Sequence, residues 1–244
     1  MTLKIAINYS PNFSIKSRNR KNIKFLLIHY TGMHNEKKAI DKLTSIKSKV
    51  SCHYFVKKNG QVILMVPDFY IAWHAGISNW KNLKSLNRFS IGIEIQNKGH
   101  EHGYHKFSKE QIKSTILLCR KILKKYKIKN NNVLAHSDVS YNRKIDPGEK
   151  FPWKILAKNK IGNWHNLDQK LLKKLRKVKI SKIEKKEMIK YLKKIGYFVE
   201  KRNLKFLKLI KNFQRRYRPE LIDVSIAPKL VIDGVPESTG VKKE

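Results

Sequence analysis

The chain has 244 residues, which is enough for one sizeable domain with a small appended one. Hydrophobic residues make up 41% of it, too many for a disordered chain, and two cysteines are too few for a disulfide framework or a paired-cysteine metal site. The net charge of +37 fits nucleic acid, an anionic membrane surface or an acidic polymer as partner, or a lysine-rich composition without a specific role.

The first predicted elements are strands. Residues 23–30 (IKFLLIHY) form a short apolar run that is typical of a buried strand, and this strand ends near His29. Residues 50–66 predict a hairpin, because two β-prone runs flank an Asn-Gly pair that suits a tight turn. Residues 89–96 (FSIGIEIQ) alternate and predict another strand.

A helix and a further strand follow. Ser108 and, three residues later, Gln111 have the spacing of a capping box, and the helical repeat of apolar residues continues to about residue 126. Residues 131–136 (NNVLAH) predict a short strand. Strands mixed with helices in this order predict an α/β domain over residues 1–166, in which helices flank a mixed central β-sheet.

The rest of the chain, residues 167–244, predicts a small all-α module. Strand signals are absent here, and a weak helical segment is followed by two amphipathic ones, stopped by Gly196 and by Pro219. We expect the last residues of the chain to be frayed. The predicted apolar stripe of the first amphipathic helix consists of Ile183, Met188, Tyr191, Leu192 and Ile195.

Four of the nine histidines lie at or beside apolar runs: His29, His53, His74 and His136. Burial alone favours a hydrogen-bonded core role for each of them. If the strands ending at His29 and His136 are neighbours, however, the two side chains converge, and Asp146 follows in an Asp-Pro-Gly turn. Two imidazoles and a carboxylate are a common ligand set for catalytic zinc, whose bound water has its pKa lowered to about 7.

A hydrolytic zinc site also needs a proton shuttle and a cation for the oxyanion. Glu94 is the best carboxylate, because it interrupts an otherwise apolar strand; the alternative is that it lies on a solvated strand face. Lys144 lies two residues before Asp146, so an extended segment projects both side chains to the same side. Among 55 basic residues, Lys144 alone indicates little.

Six segments resemble, in their order, the zinc-dependent N-acetylmuramoyl-L-alanine amidases. This family includes the bacterial anhydro-muropeptide amidases and is related to peptidoglycan recognition proteins. The resemblance covers about residues 9–164, and it implies the amidase type 2 fold. The segments are LLIHYTGM, SCHYFVKKNGQV, AWHAGISNW, NRFSIGIEIQN, AHSDV and RKIDPGEKFPW.

The resemblance assigns a role to each candidate. It implies that His29, His136 and Asp146 bind one Zn²⁺ ion per chain. It also implies that Glu94 activates the zinc-bound water and that Lys144 steadies the tetrahedral oxyanion. With these roles the chain would hydrolyse the amide between N-acetylmuramic acid, with the 1,6-anhydro form as one candidate, and L-alanine of the stem peptide.

Further positions match the family's substrate groove, namely Trp73, His74 and Asn87, whereas His53 matches a histidine that is structural. Cys52 stands where phage-type relatives carry a tyrosine, which leaves the proton transfer to Glu94. Since all three ligands are present, the resemblance favours an enzyme over the alternative, a non-catalytic peptidoglycan-binding protein.

The expected partner is peptidoglycan or a muropeptide, and no motif supports a specific nucleic acid. The 167–244 module resembles peptidoglycan-binding modules, with a helical cap on the catalytic domain as the alternative. No apolar run is long enough to span a membrane, and no signal peptide is visible. We therefore expect a cytoplasmic protein that recycles wall fragments, with the envelope as the alternative.

Overall fold

The computed structural model describes residues 3–175, 181–199 and 203–222. Within them the strands are β1 (Ile5–Ile7), β2 (Phe13–Ser14), β3 (Phe25–Tyr30), β4 (Tyr54–Val56), β5 (Val62–Leu64), β6 (Ile71–Ala72), β7 (Asn79–Trp80), β8 (Leu83–Lys84), β9 (Ser90–Ile95) and β10 (Val133–Ala135). The helices are α1 (Glu36–Thr44), α2 (Lys109–Tyr126), α3 (His136–Val139), α4 (Trp153–Lys158), α5 (Gln169–Leu175), α6 (Lys182–Ile195) and α7 (Asn203–Tyr217).

Six strands form a mixed sheet in the order β1-β5-β4-β9-β3-β10, which confirms the predicted fold class. Strands β4, β9, β3 and β10 run parallel, and β4 pairs antiparallel with β5 in the predicted hairpin. Strand β10 pairs with β3 so that Ala135 lies opposite Ile28. The predicted neighbourhood of these two strands is therefore confirmed, and both lead to the same edge of the sheet.

The side-chain alternation of the central strands divides the core between the two faces of the sheet. On β9, Ile91, Ile93 and Ile95 lie in the core cluster that includes α2. The alternate residues Ser90 and Glu94 therefore lie on the opposite face, which is the face of the candidate site. Because the apolar residues of β9 recur at every second position, Glu94 is placed on the face of the candidate site.

Helix α2 covers the first face and begins as the sequence predicts. The Ser108 hydroxyl accepts a hydrogen bond from the backbone N–H of Gln111, and the Gln111 side chain accepts one from the backbone N–H of Ser108. These bonds satisfy two donors that the first helical turn leaves free. Leu118, Cys119 and Ile122 of this helix are buried against the sheet.

Helices α6 and α7 pack on the opposite face of the sheet. One buried cluster joins sheet residues with residues of the C-terminal segment, among them Phe25, Leu27, Leu134, Leu192, Tyr197, Phe206, Leu209 and Ile210. Within the described residues, this cluster contains side chains from both sides of the predicted boundary at residue 166. The division into two domains stays a prediction, with the helical cap as its alternative.

The predicted apolar stripe of α6 is wrong in part. Leu192 is buried and Met188 is partly buried, but Ile183, Tyr191 and Ile195 are exposed. The face of α6 that packs against the core contains Met188, Ile189 and Leu192, which is narrower than the predicted stripe. The helix ends at Gly196 as predicted, where φ is +134° and a Cβ atom would approach Trp80 within 2.7 Å.

Helix α7 ends at Tyr217, two residues before the predicted stop at Pro219. The frayed tail predicted for the end of the chain lies outside the described residues. In the part of the chain that the structure describes, no helix combines the length and the apolar character needed to cross a membrane.

Candidate active site

The candidate site lies where the parallel strands β9, β3 and β10 end. His29 is the penultimate residue of β3, and the strand register places it directly beside Glu94 of β9. His136 begins helix α3 immediately after β10. Carboxyl ends of adjacent parallel strands meet at one edge of a sheet, so the topology brings these side chains together.

His29, His136 and Asp146 form a compact buried cluster. The Asp146 Oδ2 atom lies 3.2 Å from His29 Nδ1 and 3.0 Å from His136 Nδ1. One donor atom from each residue lies within 4.8 Å of the others, and among the described residues no other group of three or more potential ligands meets this spacing. The Ser137 N–H donates to the Asp146 carbonyl at 3.0 Å, which ties the turn to the end of β10.

A chain of hydrogen bonds sets the tautomer of His29. The Ser90 hydroxyl donates to the Leu86 carbonyl at 2.6 Å, so its oxygen accepts from His74 Nε2, 3.3 Å away. His74 Nδ1 then carries the lone pair and accepts from His29 Nε2 at 3.0 Å. The proton of His29 is thereby held on Nε2, and Nδ1 presents a lone pair to the cluster.

His136 is oriented in the same way by a backbone group. Its Nε2 lies 3.1 Å from the Ala75 carbonyl, which can only accept a hydrogen bond. The proton of His136 therefore lies on Nε2, and Nδ1 is left as a second lone pair facing Asp146. Two imidazole lone pairs and one carboxylate oxygen converge, and this donor set can hold a metal ion such as zinc.

The electrostatics of the cluster agree with a neutral His29 and an ionised Asp146. Burial, followed by the proximity of His136, lowers the pKa of His29 to about 4, so the imidazole is neutral at physiological pH. The pKa of Asp146 lies well below its ordinary value although burial opposes its negative charge, so this carboxylate is ionised. A neutral imidazole and an ionised carboxylate are the forms that bind a cation.

Glu94 is close to the cluster but is not bonded to it. Its Oε1 atom is 4.0 Å from His29 Nδ1. Its Oε2 atom is buried and has no hydrogen-bond partner in the described parts of the chain. Burial and then the charge of Asp146 raise the pKa of Glu94 well above its ordinary value. A buried acceptor without a partner marks a position where a water molecule or a substrate group would bind.

These groups open into a cavity of about 420 Å³. Its lining includes the candidates Trp73, His74, Glu94, His136, Lys144 and Asp146. His74 reaches this position because Gly92 of β9 lies beneath it, where a Cβ atom would approach the His74 ring within 2.4 Å. The structure therefore brings most of the predicted catalytic, metal-binding and groove residues to one cavity; Asn87 and the fully buried His29, which contacts Asp146 behind the cavity wall, are not part of its lining.

Asn87 does not line the cavity. Its side-chain oxygen accepts hydrogen bonds from the backbone N–H groups of His74 at 3.1 Å and Ala75 at 2.7 Å. Asn87 therefore holds the backbone that carries Trp73 and His74, and direct contact with a substrate remains a prediction. His53 is buried and accepts a hydrogen bond from the backbone N–H of Gly92, in agreement with a structural role.

Sequence reasoning missed a polar network in another wall of the cavity. The Tyr30 hydroxyl lies 2.9 Å from His100 Nδ1, and His100 Nε2 lies 3.1 Å from a Glu149 carboxylate oxygen. Tyr30 and His100 both line the cavity. His100 stands in a polar stretch of the chain, and no local pattern distinguishes it from its neighbours, because its partners Tyr30 and Glu149 are distant in sequence.

Comparison with known proteins agrees with this geometry. The family model of N-acetylmuramoyl-L-alanine amidase matches residues 19–149, more than half of the chain. The N-acetylmuramoyl-L-alanine amidase AmiD of Escherichia coli is 34% identical over 82% of this chain and 76% of that protein. The 1,6-anhydro-N-acetylmuramyl-L-alanine amidase AmpD of Haemophilus influenzae is 32% identical over 59% of this chain and 85% of that protein.

Two solved structures share the fold at similar coverage. The complex of E. coli AmiD with anhydro-N-acetylmuramic acid-L-Ala-D-gamma-Glu-L-Lys has a TM-score of 0.71 at 33% identity and covers 82% of each chain. AmpDh3 of Pseudomonas aeruginosa, in complex with anhydromuramic pentapeptide, has a TM-score of 0.71 at 27% identity, covering 85% of this chain and 86% of that one. The chain therefore belongs to the N-acetylmuramoyl-L-alanine amidase family and is a hydrolase.

Proposed function

We propose that the chain is a zinc enzyme that hydrolyses the amide between N-acetylmuramic acid and the L-alanine of the stem peptide. The observation that supports this most strongly is the cluster of His29, His136 and Asp146, which lies beside Glu94 at the wall of one cavity. Because two similar structures contain anhydromuramyl peptides, we propose that soluble fragments with the 1,6-anhydro sugar are the preferred substrates.

The donor set fits one zinc ion per chain. The lone pairs on Nδ1 of His29 and His136 and the carboxylate of Asp146 are a ligand combination that catalytic zinc sites use. When bound there, zinc would supply Lewis acidity, which polarises the scissile carbonyl and lowers the pKa of water. The hydrogen bonds on Nε2 of both imidazoles are the supporting contacts that such ligands need.

Glu94 is proposed as the proton shuttle. Its unpartnered Oε2 atom is positioned to accept a proton from the attacking water and to deliver it to the leaving nitrogen of L-alanine. The pKa of this carboxyl is raised by burial. A raised pKa suits a group that must both accept and release a proton near neutral pH.

Lys144 is proposed as the cation that stabilises the oxyanion of the tetrahedral intermediate. It lines the cavity, and its charge acts on both Glu94 and His29. A preorganised cation is most effective in such a partly water-excluded site. Trp73 and His74 would contact the substrate from the cavity wall, while Asn87 would act by fixing the backbone beneath them.

The test is mass-spectrometric detection of free stem peptide from an anhydro-muropeptide, with chelator or added zinc, and intact sacculi in parallel. We expect zinc-dependent release, faster from the fragment than from sacculi. Glu94→Gln should bind zinc but lose about 10²-fold or more of kcat. The matched control is Glu110→Gln, an exposed residue in the first turn of α2, which should retain activity.

Full activity of the Glu94 variant would contradict the proposed proton shuttle, and full activity of the chelated wild type would contradict the zinc mechanism. If neither substrate releases stem peptide although both bind, a non-catalytic peptidoglycan-binding protein is the better description. Faster release from sacculi would place the enzyme in wall degradation instead of fragment recycling, and would count against the cytoplasmic location expected from the sequence.

A further inference from the structure

Helix α7 contacts the loop that carries two of the candidate site residues. This loop, residues 140–146, connects α3 to the Asp-Pro-Gly turn and contains Lys144 and Asp146. It consists of turns and irregular backbone. The backbone N–H groups of Arg143 and Lys144 donate to the Ser140 carbonyl, at 3.0 and 2.9 Å. The loop's position relative to the sheet therefore depends on contacts from outside it.

Asn212 of α7 provides such a contact. Its Nδ2 atom lies 2.9 Å from the Tyr141 carbonyl and 2.9 Å from the Lys144 carbonyl, so both amide hydrogens are used. Its oxygen accepts from Arg215 Nη1 at 2.7 Å, which assigns the orientation of the amide group. Asn212 is 1% exposed. This buried asparagine therefore directs both of its N–H donors at one loop.

The segments on either side of this loop are held by α7 and by Tyr197, which follows α6. Before it, Asp138 accepts hydrogen bonds from the Tyr197 hydroxyl at 2.6 Å and from Arg216. After it, Glu149 forms an ion pair with Arg215 at 3.4 Å. Asn212 therefore lies between two further attachment points, and it is the side chain bonded to the carbonyl of Lys144 itself.

We propose that Asn212 is a positioning residue, which fixes the backbone of the 140–146 loop so that Lys144 and Asp146 are held at the cavity. The proposal rests on the proposed function for its kinetic consequence. A displacement of a catalytic group by about 1 Å can cost up to 10²-fold in rate. An interaction of Lys144 with the oxyanion exists only in the transition state, so its loss lowers kcat more than it changes KM.

The test compares Asn212→Leu, which keeps the size of the side chain but removes both donors, with Leu209→Ala. Leu209 is fully buried on the same helix, in the apolar cluster that also contains Tyr141, so its truncation destabilises the fold without removing a hydrogen bond to the loop. We expect Asn212→Leu to lower kcat about tenfold or more with KM changed less than about twofold. Leu209→Ala should lower Tm and keep kcat below the transition.

A double-mutant cycle with Lys144→Ala separates positioning from general damage. If Asn212 acts through Lys144, adding Asn212→Leu to the Lys144 variant should lower kcat much less than it does in wild type. Additive losses, or an unchanged kcat in Asn212→Leu, would overturn the proposal. Equal losses of kcat in Asn212→Leu and Leu209→Ala would overturn it as well.

Two readouts do not depend on activity. Amide hydrogen exchange of metal-free protein should accelerate in peptides covering residues 140–146 for Asn212→Leu but not for Leu209→Ala. Zinc affinity should fall in Asn212→Leu, because Asp146 ends the loop. If wild type releases no stem peptide, the proposed function fails, while these two measurements still decide whether Asn212 positions the loop; unchanged exchange and affinity would refute it.

Discussion

Replacing His74 by leucine tests whether the buried hydrogen-bond chain prepares His29 for a metal ion. In wild type, His74 Nδ1 accepts the proton on His29 Nε2 from 3.0 Å. Leucine cannot accept it, so His29 either buries an unsatisfied N–H group or moves the proton to Nδ1, where it blocks the ligand lone pair. Loss of such a supporting contact costs 10- to 100-fold in metal affinity, or about 1.4–2.7 kcal/mol.

The assay is a competition titration of metal-free protein with a chromogenic zinc chelator. His74→Asn is the matched variant, because its side-chain oxygen lies near the position of Nδ1 and can still accept the proton. We expect the zinc dissociation constant to rise in the order wild type, His74→Asn, His74→Leu. Thermal unfolding of the metal-free proteins shows whether each variant is folded.

A folded His74→Leu variant that binds zinc as tightly as wild type would refute the reasoning. It would mean that His29 Nδ1 is available to bind the metal ion without an acceptor at His74. His74 would then act only as a residue of the cavity wall. Equal weakening in the asparagine and leucine variants would refute the hydrogen-bond explanation as well, because the asparagine keeps an acceptor.

Three further predictions concern stability. Arg216→Met leaves the buried Asp138 without its cation, so the free energy of unfolding measured in urea should fall by about 3–5 kcal/mol. The control Arg218→Ala, at a more exposed ion pair, should lower it by less than about 1 kcal/mol, and similar losses in the two variants would contradict the prediction. Burial, followed by nearby Arg18, lowers the pKa of His53 to about 3. The imidazole of the unfolded chain has a pKa near 6.5, so protons bind the unfolded state first as the pH falls, and His53 should lower the free energy of unfolding by about 2 kcal/mol between pH 7 and pH 5. The His53→Gln variant should lose about 2 kcal/mol less than wild type over this interval. An unchanged pH dependence would contradict the lowered pKa. Gly92→Ala should lower Tm by several degrees, because its Cβ atom meets the His74 ring; an unchanged Tm would show that the ring moves freely.

The site shows which of its features local sequence can predict. His29, Glu94 and His136 lie at or near the ends of apolar runs whose period and length mark them as strands, so their convergence could be predicted once a mixed sheet was expected. The hydrogen bonds that select the ring nitrogen of His29 could not be predicted. They depend on the contact of His74 with Ser90, which lie 16 residues apart in different elements.

The sequence by itself determined the alternation of β9, the capping box at Ser108 and the Asp-Pro-Gly turn at Asp146, because each depends on residues within one strand or one turn. Tertiary structure decided which face of α6 is buried, that Asn87 binds backbone instead of lining the cavity, and that Asn212 bonds to the loop of Lys144. These outcomes depend on how elements distant in the chain pack together. The local sequence around an amide side chain or an apolar helix face is the same whichever distant element packs against it.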